Sequence, residues 1–403
     1  MDYKREFQFF ENNPDVIYLD NAGTTLKPIS VINKINDFYL NFSTNSHNQD
    51  SDLSYKTFQT IENIRKQIAD FINCSNKDEI IFNSGATFGL NQICFGMTEL
   101  TSGDEIIINK YEHASNIIPW IKIAKIKNLK IKFINFLPNF KVDIESLKKL
   151  ITSKTKIISY ASISNTTAML QDIEKINKTI KKINPDIKII IDAAQSLAHI
   201  KTDVQKWGAD FIVGSAHKMY GPTGIGFMWG KIEELKKIEP LLYGGSMITR
   251  VNSQNLNYDL SKIPHRFEGG TINGAGIFGF SEAVKYLTKI SLEKIRQHER
   301  MLIDYFVDQV KKNHLSKKIE IYAANSNICI FNVKNVFSQD VVTHMGSVNN
   351  IILRSGDNCA KLLLDTIKQK SIIRLSVAIY NTKDDIDKLI AAIINEDVFL
   401  GRL

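Results

Sequence analysis

Short hydrophobic runs recur along the first two thirds of the chain and alternate with longer stretches of mixed polarity. The runs at 79–82, 105–108, 130–134, 156–160, 187–192, 210–213 and 225–229 are rich in Ile, Val and Phe, and most end in polar residues or Gly. Such β-branched and aromatic runs predict strands. Most are separated by stretches in which apolar residues return with helical spacing, at 54–72, 87–100, 115–126, 143–150 and 173–183. Strands alternating with helices predict βαβ units and a mostly parallel sheet covered on both faces. The run Ile-Lys-Ile-Ile-Ile at 187–191 has the near-continuous apolar character of a strand buried on both sides.

After about residue 260 the pattern changes. Helical periodicity dominates 273–287 and 292–312, strand-like runs follow at 319–323, 328–333, 351–354 and 372–377, and a helix is predicted at 383–394. The expected architecture is therefore α/β, with a large unit built on a mostly parallel sheet flanked by helices and a smaller α+β unit.

Composition narrows the function classes. At 403 residues the chain has room for two to three domains at ~150 residues each. Its 43% hydrophobic and 23% charged content is ordinary for a globular protein. Cys74, Cys94, Cys329 and Cys359 are few, scattered and without a CxxC pair, so neither a disulfide framework nor a zinc site is expected; they read as reduced thiols of a cytoplasmic protein. Residues 1–10 lack the apolar core of a signal peptide, and no run approaches the ~18 apolar residues of a membrane span. The net charge of +8 comes from 42 Lys and only 9 Arg spread along the chain. That is compositional bias, with no concentrated basic patch, and nucleic acid is not an expected partner. Where Lys is the default cation, an Arg at a strand end or in a loop is a candidate for recognition by its planar fork, which singles out Arg250, Arg266, Arg354 and Arg374.

Three stretches carry candidate chemistry. Strand 187–192 ends in Asp192, and ligands of open α/β sheets bind at the carboxyl ends of strands. An Asp there also serves as a helix cap, and taken alone the two roles are evenly matched. Strand 210–213 leads into Gly214, Ser215, His217 and Lys218, then a Gly-rich turn through Gly226. A Lys at one strand end with an Asp at its neighbour is the arrangement a pyridoxal-phosphate enzyme requires: the amine for a Schiff base, the carboxylate to keep the pyridine nitrogen protonated. Ser215 and His217 are candidates for the cofactor phosphate. The third stretch, Gly85-Ala86-Thr87 after strand 79–82, places backbone N–H groups and a hydroxyl at a helix start, an anion site. His113 follows strand 105–108 on the same expected edge, where an imidazole could stack on a cofactor ring and exchange protons.

With these residues in place the chain resembles the class-V aminotransferase-fold enzymes, and within them the SUF-type (group II) cysteine desulfurases. The matching stretches, in family order, are YLDNAGTTLKP (18–28), GATFGLN (85–91), YEHASNIIPW (111–120), IDAAQS (191–196), GSAHKMYGPTGIGFMWGK (214–231), YGGSMI (243–248), RFEGGTIN (266–273), RSGDNCA (354–360) and RLSVAIYNT (374–382). The resemblance implies the fold type I of pyridoxal-5'-phosphate-dependent transferases. It implies an N-terminal arm over 1–15 associated with the small domain, a large cofactor domain over 16–260, and a small C-terminal domain over 261–403 that carries a nucleophile loop.

Residue by residue, Lys218 resembles the Schiff-base lysine, Asp192 the pyridinium partner, Gln195 the contact to the phenolic oxygen and His113 the stacking imidazole. Thr87, Ser215 and His217, with the Ala86 N–H, resemble the phosphate contacts. Thr271 resembles a contact to the phosphate bound by the other subunit of a homodimer. Arg374 and Asn165 resemble the residues around the substrate carboxylate. Cys359, in a polar Gly-containing loop, resembles the nucleophile that takes sulfur from L-cysteine as a persulfide, releases L-alanine and passes the sulfur to an acceptor protein for iron–sulfur cluster assembly.

Three stretches depart from the family. Asp357 and Asn358 stand where it has two histidines, HNQDS (47–51) stands for His-Arg-Gly-Ile-His, and Thr-Thr-Ala follows Asn165 in place of Val-Leu-Gly. Two rival readings follow: another class-V enzyme such as a selenocysteine lyase, or a catalytically weak partner of the assembly machinery.

Overall fold

The computed structural model describes residues 3–47 and 49–394. The first strand, β1 (Ile17–Tyr18), precedes a sheet of seven: β2 (Ile80–Asn83), β3 (Glu105–Asn109), β4 (Lys130–Ile134), β5 (Thr155–Ala161), β6 (Lys188–Asp192), β7 (Phe211–Ser215) and β8 (Gly226–Gly230). Their order across the sheet is β2-β8-β7-β6-β5-β3-β4. The run from β4 to β7 is parallel, and β8 lies antiparallel between β7 and β2. The carboxyl ends of β2, β3, β5, β6 and β7 therefore share one edge, which is where the candidate residues fall.

Burial explains the strands. Ile189, Ile190 and Ile191 are all fully buried, as are Ile106, Ile107 and Ile108, because helices cover both faces. Helix Ile173–Ile183 illustrates the local code. Asp172 caps it by accepting from the Lys175 N–H, Ile173, Ile176 and Ile180 face the core, and lysines occupy the outer side of its last turn, where they suit the helix dipole.

A hairpin of β9 (Ile248–Asn252) and β10 (Asn257–Leu260) follows the large sheet. A second sheet then contains β11 (Ile319–Asn325), β12 (Ile328–Val333), β14 (Arg354–Gly356) and β15 (Ile372–Ser376), all antiparallel, in the order β11-β12-β15-β14. It packs with helices Leu292–Lys312 and Lys383–Ile394 around Phe306, Phe331 and Leu389. Strand β13 (Ile351–Ile352) pairs in parallel with β1, so residues near 17 are stitched to this smaller unit.

The packing draws the division between units differently from the expected boundary at 260. Helix Gly274–Ile290 lies against helices Ile29–Asn41 and Asp52–Phe71, and its Ile277, Phe278 and Phe280 join the core of the large unit. Phe278 stacks edge-on against Phe38, ring centres 5.1 Å apart. The smaller unit thus gathers around residues after Ser291. The N-terminal arm touches both units: Lys4 pairs with Asp385 at 2.7 Å, while Phe7 packs 4.6 Å from Tyr380 and 6.1 Å from Tyr220. The ends of the expected arm and small domain, residues 1–2 and 395–403, lie outside the described residues, as does Asn48 of the stretch 47–51. Among the described residues no helix is long and apolar enough to cross a membrane.

Candidate active site

The shared strand edge opens on a cleft of about 430 Å³ whose lining includes Ala86, Thr87, His113, Asn165, Asp192, Ser215, His217, Lys218, Cys359 and Arg374. Ten of the twelve residues given a role by the resemblance thus meet in one place. Gln195 does not line it; it is buried, and its Nε2 donates to the carbonyl of Ala22, itself a lining residue, at 2.9 Å. Thr271 is exposed and lines a separate hollow beside Gly224 and Asn273.

The cradle at 85–87 is built by a glycine in a conformation other residues avoid. Gly85 has φ +135° and offers no side-chain cap to helix Ala86–Gly96, so the first N–H groups of that helix are left for other acceptors. Ser215 Oγ accepts from the Ala86 N–H at 2.8 Å, bringing the end of β7 against the helix start. Gly226 makes this approach possible: a Cβ there would sit 2.3 Å from the Gly214 carbonyl and 2.7 Å from Gly85 Cα.

Asp192 is buried, and burial pushes its carboxyl up, partly offset by the Ala194 N–H at 2.9 Å and by the charge of Lys218. Burial pushes the Lys218 amine down, opposed by Asp192. Both imidazoles that line the cleft are held neutral: burial and then Lys218 bring His113 and His217 down to about 4.

Arg374 projects from β15 and is only 4% exposed. Its fork is already engaged. Nη1 donates to the Asn165 carbonyl at 3.0 Å and Nη2 to Asp20 Oδ1 at 2.7 Å, while Nε is buried with no partner. Asp20 was part of a quoted motif with no role attached. Its place at the end of a short strand, followed by a Gly-containing turn, was the available signal. Arg354, one of the arginines singled out for its planar fork, also lines the cleft, as do Ser115 and Thr24, which lay in the matching stretches without a role.

Cys359 is the one exposed cysteine among the four; the others are buried, and burial pushes the Cys74 thiol up to about 11 and those of Cys94 and Cys329 higher still. Its loop is tightly held. Asn358 and Cys359 have φ of +51° and +58°, costly for residues with a Cβ. Three hydrogen bonds fix the turn: Cys359 N–H to Asp357 Oδ1 at 2.9 Å, Asn165 Nδ2 to the Asn358 carbonyl at 2.8 Å, and the Ala114 N–H to the Cys359 carbonyl at 2.8 Å. Asp357, expected to mark a departure from the family, is thus part of the loop's own scaffold. Among the described residues no group of three His, Cys, Asp or Glu side chains is placed to hold a metal ion.

Comparison with known proteins agrees with this geometry. Residues 17–389 match the family of class-V aminotransferases. A probable cysteine desulfurase from Ureaplasma parvum is 44% identical over 395 residues, covering 97% of this chain and 96% of that protein. A cysteine desulfurase from Wigglesworthia glossinidia brevipalpis is 38% identical, with 97% and 95% covered. The apo structure of a cysteine desulfurase from Thermococcus onnurineus superposes with a TM-score of 0.91 at 28% identity, covering 99% of this chain and 97% of that one. A cysteine desulfurase from Escherichia coli gives 0.89 at 28% identity, with 100% and 98% covered. The architecture is the α/β fold type I of pyridoxal-phosphate-dependent transferases. By sequence and by the edge of the sheet on which its site is built, this chain belongs to the class-V aminotransferase family.

Proposed function

We propose that this chain is a pyridoxal-5'-phosphate-dependent cysteine desulfurase of SUF type, which moves the sulfur of L-cysteine onto Cys359 and releases L-alanine. The observation that carries the reading is the exposed Cys359 on the same cleft as the Lys218–Asp192 pair and the buried Arg374. The full-length likeness to proteins named as cysteine desulfurases supports it.

The residues present fit the cofactor. The uncapped helix start at Ala86, with the hydroxyls of Thr87 and Ser215, suits a phosphate. Asp192 would face the pyridine nitrogen, Gln195 the phenolic oxygen, His113 the ring, and Lys218 would be the covalent anchor. Bound there, pyridoxal phosphate supplies an electron sink for charge that develops on the substrate carbons. Arg374 would hold the substrate carboxylate, exchanging its contact with Asp20 for the substrate. The Lys218 amine, whose proton affinity burial lowers, would take the α-proton and return it. Cys359 Sγ would attack the substrate sulfur, forming an S–S bond as the Cβ–S bond breaks. The carbon skeleton keeps that electron pair, takes up a proton and leaves as alanine.

Thr271, exposed and outside its own chain's cleft, would reach the phosphate of a second copy, which makes the active form a homodimer. The persulfide would then pass to an acceptor protein of iron–sulfur cluster assembly in the cytoplasm. The decisive test is the visible spectrum of the purified protein followed by assay of alanine from L-cysteine. The expected result is an internal-aldimine band lost in Lys218→Ala and alanine formation lost in Cys359→Ser. A Cys359→Ser variant that still releases alanine would move the reading to a lyase. No band after adding pyridoxal phosphate would overturn it.

A further inference from the structure

Lys27 places a cation behind the wall of the cleft among neutral groups. Its ammonium donates to Thr24 Oγ1 at 2.9 Å and to the Thr25 carbonyl, and lies 3.4 Å from the His217 carbonyl. Thr24 and His217 both line the cleft. None of these acceptors is a carboxylate. Lys27 is half-buried, and burial lowers its amine to about 8.

Local structure gives no reason for a charge at this position. The His217 carbonyl already accepts the Thr25 N–H at 3.1 Å and the Thr24 hydroxyl at 3.0 Å. Those two bonds fill its two lone pairs, so the turn before Lys218 is held without the ammonium. Lys27 also stands just before helix Ile29–Asn41, the end of a helix dipole that disfavours a cation. The titratable groups packed around the segment leave its charge unanswered. Burial pushes the phenols of Tyr18, Tyr220 and Tyr380 up, so they stay neutral, and each already has a hydrogen bond: Tyr18 to the Thr24 carbonyl, Tyr220 from the Ile379 N–H, and Tyr380 from the Leu26 N–H. Asp20 is paired with Arg374 at 2.7 Å, and Asp192 faces Lys218. The charge nevertheless reaches the cleft. After burial and Lys218, it is Lys27 that lowers the His217 imidazole.

We propose that Lys27 is a positioning residue for the cofactor: a counter-charge behind His217 that draws a dianion into the phosphate cradle. The proposal rests on the reading of residues 85–87, with Ser215 and His217, as that cradle. His217 is neutral at pH 7 and supplies no charge of its own. Lys27 therefore supplies a positive field from behind it, at a point where it needs no direct contact with the phosphate. A bound dianion in turn stabilises the ammonium and raises its proton affinity. Lys27 is charged in the empty site below pH 8 and loses its proton above it. Binding at higher pH therefore takes up a proton, and affinity falls as pH rises past 8. By reciprocity, each pH unit of coupling on Lys27 is a tenfold change in affinity for the dianion.

The test is calorimetric titration of the ligand-free full chain with sulfate, a dianion at every pH used, from pH 7 to 9.5 at fixed ionic strength. Lys27→Gln keeps an N–H donor and loses the charge. It should bind sulfate about tenfold more weakly than the parent at pH 7, with the deficit nearly gone at pH 9.5. Lys27→Arg should match the parent at pH 7 and bind better than it at pH 9.5. The other groups of the cleft are common to all three proteins and cancel in the comparison. Retention of pyridoxal 5'-phosphate through dialysis at pH 7, read from the visible band, should be equal for parent and Lys27→Arg and lower for Lys27→Gln. A Lys27→Gln protein that binds like the parent at pH 7 overturns the counter-charge. So does a deficit of the same size at pH 7 and 9.5, which is what a merely structural role produces. No sulfate binding by the parent overturns the proposal, and the absence of a visible band with pyridoxal phosphate as well overturns the cradle reading.

Discussion

Glu268→Gln should destabilise the protein strongly at neutral pH and hardly at all in acid. Glu268, three residues before the expected trans contact Thr271, is 4% exposed. Its carboxylate accepts a forked pair from Arg65, Nη1 at 2.7 Å and Nη2 at 2.9 Å, and also the Phe82 N–H at 2.7 Å. Arg65 has no exposure, so the neutral amide would leave a buried guanidinium short of its main counter-charge. Glu62, which accepts from Nε at 3.0 Å, remains as a partial partner. Breaking one side of such a pair costs about 3–5 kcal/mol.

A second route gives a similar figure. Burial pushes the Glu268 carboxyl up, but the Arg65 guanidinium, with the His265 side chain and the Phe82 N–H, together hold it at about 2 against an ordinary 4.5. At 1.36 kcal/mol per pH unit that is about 3 kcal/mol. The folded value lies below the unfolded one, so this stability is complete above pH 4.5 and disappears as pH falls toward 2. Urea unfolding at pH 7 should show the midpoint of the variant lowered by about 1–2 M. The gap between variant and parent should close as pH falls below 4.5. A cost under about 1 kcal/mol at pH 7, or a gap that stays constant down to pH 3, would refute the reasoning. Arg65→Met combined with Glu268→Leu, which removes both charges, should cost less than Glu268→Gln alone.

Asp192→Asn keeps the size and the acceptor for the Ala194 N–H but removes the charge; folding should be unaffected while alanine production falls roughly 10²-fold or more, read in a coupled alanine assay. Gly226→Ala places a Cβ against the Gly214 carbonyl and Gly85, so it should cost about 1–3 kcal/mol and weaken retention of pyridoxal phosphate, measured by the visible band after dialysis.

The large sheet was legible because its strands are buried on both faces, where chemistry and burial coincide. Strand β4 and helices Ile173–Ile183, Leu292–Lys312 and Lys383–Ile394 were predicted with their observed bounds. Helix Ile29–Asn41 was missed. Its Ile, Val and Asn residues are weak helix formers, and it is held by packing of Phe38 against Phe278 of a helix remote in sequence. Helix Ser338–Asn349 begins with no side-chain cap, and the β9–β10 hairpin exposes Val251 and Leu256, so neither carries a local signature. The site was legible as strand-end polar residues and a Gly-rich turn. Asp20 was not, because its role lies in an ion pair with a residue more than 350 positions away.

The same long-range geometry changes what Asn165 is for. Resemblance places it beside the substrate carboxylate, which predicts a rise in KM when it is lost. In the structure its backbone carbonyl, which any residue supplies, accepts from Arg374, while its side-chain amide donates to the Asn358 carbonyl in the nucleophile loop. Asn165→Ala therefore leaves the hold on Arg374 in place and releases the loop, whose left-handed Asn358 and Cys359 relax once the restraint is gone. A buried carbonyl deprived of its donor costs about 1–3 kcal/mol. Felt at the sulfur-transfer step, that lowers kcat by about 5- to 150-fold. KM for L-cysteine should change far less, and a single-turnover assay should show slow formation of the Cys359 persulfide after normal substrate binding. A large rise in KM with kcat intact would instead mean that the amide turns to the carboxylate when substrate arrives, and that the contact with the loop is incidental.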